Sequence, residues 1–154
     1  MLRLASYDIV FQEIPGEVTL ALNLSGCPNL CTGCHSPHLR GDIGEPLDDE
    51  LLDGLLERYG RAVTCVCFMG GDGDPREVER LSELIRQRTG LKTGWYSGKP
   101  QLPEGLTAAN FDYIKLGPYI EELGGLDSPG TNQRFYRIEN GRMTDMTDIF
   151  RKGD

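Results

Sequence analysis

Val63-Thr64-Cys65-Val66-Cys67-Phe68-Met69 is a near-continuous apolar run, and Gly70-Gly71-Asp72-Gly73-Asp74-Pro75 follows it at once. A strand that is apolar on both faces belongs in the interior of a sheet covered on both sides, as parallel sheets are. The Gly-rich turn opens a helix over Pro75 to about Arg88, with Asp74 at the N-cap position and Pro75 at the first helical position. Downstream, residues 91–97 predict a strand ending at Tyr96-Ser97-Gly98. Phe111 to Leu116 and Arg134 to Glu139 predict two more, the last closing on an Asn140-Gly141 turn. Upstream, Leu47, Leu51, Leu52, Leu55 and Leu56 line one face of a helix from Pro46 to Tyr59, stopped by Gly60. Residues 17–24 predict a strand after the Pro15-Gly16 turn, and residues 7–13 a short extended piece.

Strands alternating with helices point to an α/β fold, a curved parallel sheet or partial (β/α) barrel of about five or six strands. Residues 1–154 are expected to form one domain. Ligands in such sheets sit at the carboxyl ends of the strands. The segment after residue 24, the Gly70-Gly71 turn and the Tyr96-Ser97-Gly98 turn all follow strands, so they should converge.

Ser25 to Gly44 is rich in Gly, Pro, Asn, Ser and Cys and reads as a long loop, a kind of segment that is usually functional. Within it Cys27, Cys31 and Cys34 are spaced C-x3-C-x2-C. Thiolates are soft ligands that select iron–sulfur clusters, zinc or cuprous copper. Electron-transfer clusters use four cysteines. Three cysteines gripping a four-iron cluster leave one iron open for a substrate, much as a catalytic zinc keeps an open position. The alternative is a zinc-binding interaction module of Cys3His type using His35 or His38, although structural zinc sites usually draw on two separated ligand pairs. Cys65 and Cys67 stand two apart on a strand, share a face, and read as small buried hydrophobes.

The net charge of −8 disfavours nucleic acid as a partner and fits a protein with a basic patch. The N-terminal stretch is interrupted by Asp8 and does not resemble a signal peptide, and no apolar run is long enough for a membrane span. The chain is therefore expected in the cytoplasm, where thiols stay reduced and clustered cysteines serve as ligands.

C-x3-C-x2-C after a strand resembles the signature of radical S-adenosylmethionine enzymes. The Gly70-Gly71-Asp72 turn, the segment Asp112-Tyr-Ile-Lys-Leu-Gly-Pro-Tyr-Ile-Glu-Glu-Leu and Thr131-Asn132-Gln133-Arg134 narrow the resemblance. Together they resemble the anaerobic ribonucleoside-triphosphate reductase activating proteins. The resemblance covers about residues 15–137. It implies a [4Fe-4S] cluster on Cys27, Cys31 and Cys34 that reductively cleaves S-adenosylmethionine. The resulting 5′-deoxyadenosyl radical would generate a glycyl radical on the reductase, with a reductant such as flavodoxin supplying the electron. Activases of other glycyl-radical enzymes are close in chemistry but commonly carry further cluster cysteines.

The resemblance also implies site roles. Carbonyls of Gly70 and Gly71 would accept from the methionine ammonium, and either Asp72 or Asp74 would match the acid of the family's turn. Tyr96 and Ser97 would lie near ribose or adenine, Lys115 would pair with the methionine carboxylate, and Asn132 would shape the cofactor or partner site. No catalytic residue beyond the cluster ligands is implied. The chain departs from many such enzymes in placing Gly33, not an aromatic residue, just before the last cysteine of the motif.

Overall fold

The computed structural model describes residues 2–25 and 44–150. Cys27, Cys31, Cys34, His35 and His38 lie outside the described residues.

Eight strands and two helices follow in the order β1 (Arg3–Val10), β2 (Thr19–Leu24), β3 (Glu45–Pro46), α1 (Asp49–Tyr59), β4 (Cys65–Met69), α2 (Pro75–Arg88), β5 (Lys92–Tyr96), β6 (Tyr113–Leu116), β7 (Arg134–Glu139) and β8 (Arg142–Asp145) among the described residues. Short 3-10 helices at Ala108–Asn110 and Thr147–Phe150 complete them. One sheet holds all the strands in the order β3-β1-β2-β4-β5-β6-β7-β8.

The α/β class holds, but the sheet is mixed, not parallel, and has more strands than expected. Only β2, β4, β5 and β6 run parallel. β1 and β3 add an antiparallel pair at one edge, and β7 and β8 at the other. The physical reason lies in the connections. Parallel neighbours need a crossover of a dozen residues or more, whereas short links return the chain antiparallel. Residues 11–18 link β1 to β2, and Asn140-Gly141 links β7 to β8 with φ of 53° and 76°. Those positive values suit a two-residue hairpin turn of the primed kind. A barrel of repeated βα units is also not formed, because the path from β5 to β6 carries only the 3-10 turn Ala108–Asn110.

α2 spans the expected residues. α1 starts three residues later than Pro46, which belongs to β3. Asp48 supplies its start, because Oδ1 accepts from the Leu51 N–H at 2.8 Å. Both helices cover one face of the sheet. Leu52, Leu55 and Leu56 of α1 and Val78, Leu81 and Ile85 of α2 share a core with Leu20, Leu22, Val66, Phe68, Trp95 and Ile114. Arg80 pairs with Asp49 at 2.7 Å and Arg88 pairs with Asp53, so the two helices also meet at the surface. Exposed pairs of this kind add about 0–1 kcal/mol each.

The alternate residues of the strands face the other way. There Cys65, Cys67, Tyr113 and Phe135 pack under Ile14, with Tyr96, Leu126, Met146 and Phe150 around them. Gly94 makes room for this second core, since a Cβ there would stand 3.0 Å from Ile14 Cδ1 and 3.3 Å from Cys67 Sγ. The strand expected to be covered on both faces is thus covered by two different layers.

Candidate functional site

The register of the parallel strands lines up their carboxyl ends. Asn23 pairs with Met69, Met69 with Tyr96, and Tyr96 with Lys115. The chain leaves this edge at Ser25, Gly70, Ser97 and Gly117. Ser25 is pinned by its N–H to the Arg3 carbonyl at 3.0 Å. The cysteine spacing begins two residues further along the sequence.

Gly70 and Gly71 turn the chain from β4 toward α2 with φ of 102° and 86°. Only glycine adopts such values without strain. A Cβ on Gly71 would also stand 2.7 Å from Val78 Cγ2 and 2.9 Å from Leu24 Cδ1. Turn geometry and packing therefore suffice to require these glycines. The Gly70 carbonyl accepts from the Trp95 indole N–H at 2.7 Å, and the Gly71 carbonyl accepts from the Asp74 N–H at 3.0 Å. Each carbonyl has a second lone pair for a ligand donor.

Asp72 ties this turn to the exit of β5. It accepts from Ser97 Oγ at 2.5 Å and from the Gly98 N–H at 2.8 Å. Asp74 is placed differently: its carbonyl accepts from the Glu77 and Val78 amides that open α2. Of the two acids that match the motif, Asp72 is the one built into the row of strand ends. The N-cap position of Asp74 is as expected, but its side chain makes no capping bond.

Ser97 is fully buried, and its N–H bonds the Lys115 carbonyl at 2.9 Å. The Lys115 ammonium donates to the carbonyls of Ser97 and Gly117, both at 3.0 Å, and lies 5.9 Å from the centre of the Tyr96 ring. Carbonyl dipoles and a ring face hold a positive charge at this edge. The Tyr96 side chain points onto the second core. Its hydroxyl donates to the Glu13 carbonyl, its ring packs edge-on to Phe135, and burial pushes its pKa well up.

Asn132 reaches the site from the chain entering β7. Its amide N–H donates to the Pro118 carbonyl at 3.0 Å. Its Oδ1 is buried with no hydrogen-bond donor among the described residues. Such an orphaned acceptor costs about 1–3 kcal/mol and is a natural point for a ligand donor. Gly117 closes the arrangement at φ 114°, where a Cβ would stand 3.1 Å from Gln133 Cα. Gly70, Gly71, Asp72, Ser97, Lys115 and Asn132 therefore gather at one edge, with the Tyr96 backbone among them. Gly98 belongs there too, as its strand-end turn implies, and so do Trp95 and Gly117, which the sequence does not mark as site residues. The glycines flanking strand ends were the available signal; a bond from the Trp95 indole to a backbone 25 residues away has none.

Cys65 and Cys67 are buried and free. Burial is the main cause that drives both thiols up in pKa, so neither offers a thiolate near neutral pH. Among the described residues no group of three or more His, Cys, Asp or Glu side chains is arranged to hold a metal ion.

A second polar cluster lies at the amino ends of the strands and is structural. Glu17 is 8% exposed and accepts from Tyr113 Oη at 2.6 Å, Thr64 Oγ1 at 2.7 Å and Lys92 Nζ at 2.9 Å. Burial opposes its charge most strongly, but the three donors together outweigh it and hold its pKa below the ordinary 4.5. A carboxylate with a depressed folded pKa stabilises fully above its unfolded value and loses that contribution as pH falls through the folded value. Wild type is therefore expected to lose this contribution as the pH falls below the unfolded value of 4.5. Glu17→Gln should be less stable at neutral pH and show a flatter acid limb. Denaturant midpoints for both proteins, followed from neutral pH down through the acid range, check this; parallel acid limbs would refute it.

No family model, no curated protein and no solved structure matches the chain.

Proposed function

We propose that this chain is a cytoplasmic radical S-adenosylmethionine activase that installs a glycyl radical on anaerobic ribonucleoside-triphosphate reductase, using an electron from a reductant such as flavodoxin. One observation carries it: the strand preceding the C-x3-C-x2-C motif ends beside the strands that end in Gly70-Gly71-Asp72, Ser97 and Lys115. The chain enters the motif from Ser25, which leaves the sheet at the same edge as those residues.

The residues at that edge fit the group. Cys27, Cys31 and Cys34 would hold a [4Fe-4S] cluster, and S-adenosylmethionine bound beside it would supply a 5′-deoxyadenosyl radical. Lys115 offers a fixed positive charge for a carboxylate. The Gly70 and Gly71 carbonyls, already oriented by Trp95 and Asp74, offer acceptors for an ammonium. The orphaned Asn132 Oδ1 offers an acceptor for a hydroxyl or amine. Asp72 does not need to touch the ligand; it locks the two neighbouring turns at fixed spacing. Such preorganisation is what positions reacting atoms.

The test is anaerobic purification, iron and sulfide analysis, and mixing with the reductase under reducing conditions. A brown protein that cleaves S-adenosylmethionine and yields a glycyl radical signal by electron paramagnetic resonance is expected. A colourless protein holding one tight zinc and cleaving nothing would leave the zinc-binding module in its place.

A further inference from the structure

The segment that leaves β6 beside the site is itself a built surface. From Gly117 the chain runs through Pro118 to Gly130 before entering β7. It is internally braced. The N–H groups of Leu123 and Gly124 both bond the Ile120 carbonyl, at 3.0 and 2.9 Å. Thr131 Oγ1 donates to the Gly124 carbonyl at 3.2 Å. A loop so braced loses little freedom when it is bound.

Its outer surface is apolar and acidic together. Ile120 and Leu123 remain 36% and 37% exposed, on one turn, three residues apart. Glu121, Glu122 and Asp127 belong to the same loop, all exposed. None of these carboxylates is ion-paired among the described residues. Two neighbouring aliphatic anchors on a loop that carries three exposed, unpaired carboxylates match a polypeptide segment with apolar side chains flanked by Lys or Arg. The position sets the purpose: this loop starts at Gly117, whose carbonyl receives the Lys115 ammonium.

We infer that the loop Pro118–Gly130 is the docking surface for the polypeptide substrate, engaging a basic, apolar segment of the reductase through Ile120 and Leu123. This rests on the proposed function and adds to it where the partner binds and what chemistry of the partner is recognised.

The experiment measures anaerobic binding of the full chain to the reductase catalytic subunit by interferometry at several salt concentrations. The double variant Ile120→Ser/Leu123→Ser should bind at least about tenfold more weakly, since buried aliphatic anchors dominate such contacts. Glu121→Lys/Glu122→Lys, which alters only exposed side chains, should slow association and flatten its salt dependence. Phe11→Ser serves as the control. That residue is 66% exposed but follows β1, whose end pairs with the start of β2, so it lies at the opposite edge of the sheet. It should bind like wild type. Equal binding by both double variants and wild type would overturn the docking surface while leaving the proposed function standing. No binding by wild type would overturn both. A concentration-dependent dimer of wild type that the Ile120/Leu123 variant abolishes, seen by sedimentation, would assign the surface to a second copy and overturn the inference.

Discussion

Alanine in place of any one of Cys27, Cys31 or Cys34 is expected to leave a folded chain that assembles no cluster and cleaves no S-adenosylmethionine. Three thiolates are the minimum that grips three irons of a four-iron cluster, and no other group of protein ligands stands ready among the described residues. The contrast is with Cys65 and Cys67. Both are at 0% exposure, on the face of β4 turned away from the helices. Their surroundings are Ile14, Tyr113 and Phe135, and burial keeps their thiols protonated. A protonated buried thiol does not ligate iron. Alanine at either should therefore retain full iron and sulfide and lose only stability, by about 1–2 kcal/mol for the lost sulfur contacts. Iron and sulfide per chain, read beside a denaturant midpoint for all five variants, separates the two groups. Iron lost from the Cys67→Ala protein and kept in the Cys31→Ala protein would reverse the assignment.

The same five cysteines show how far the sequence could be read. The fold's interior was legible because its signals are local. The β4 run is apolar on both faces, and α2 carries Asp74-Pro75 at its start and Val78, Leu81 and Ile85 at helical spacing. The edges were not legible. β8 reads Arg-Met-Thr-Asp, with no apolar alternation, and exists because Asn140 and Gly141 turn the chain back onto β7. β3 is two residues long and is defined only by its pairing with Arg3 and Leu4. Direction in a sheet depends on which strands pair, and that is a long-range property. The site divides along the same line. Gly70-Gly71 and Ser97 could be found because those strand ends are marked by glycines and polar residues, whereas Lys115 came only from the family resemblance. That Asp72, not Asp74, spans to Ser97 could not, since the two are joined only by the parallel pairing of β4 with β5.

Trp95→Ala is expected to be the most damaging single change in the described core, costing about 3–5 kcal/mol. Domains of this kind have about 5–15 kcal/mol in all, so the variant will be partly unfolded at moderate temperature. The side chain is fully buried in the core that both helices help to form and stacks on Phe111 at 5.8 Å. Its second role is at the site, where the indole N–H holds the Gly70 carbonyl. Trp95→Phe separates the two. Phenylalanine keeps most of the apolar volume but has no N–H, so the Gly70 carbonyl loses its donor at a further cost of about 1–3 kcal/mol. The variants should rank wild type, then Phe, then Ala, in denaturant unfolding followed by far-ultraviolet circular dichroism. Fluorescence cannot serve for the variants, because Trp95 is the only tryptophan in the chain. The Phe variant should also bind S-adenosylmethionine more weakly than its stability loss alone explains, since the Gly70-Gly71 turn then relies on the Gly70 N–H bond to the Tyr96 carbonyl and on Asp72. Equal stability and equal binding for Trp95→Phe and wild type would show that packing alone retains this tryptophan, and that the turn is held from Asp72 without it.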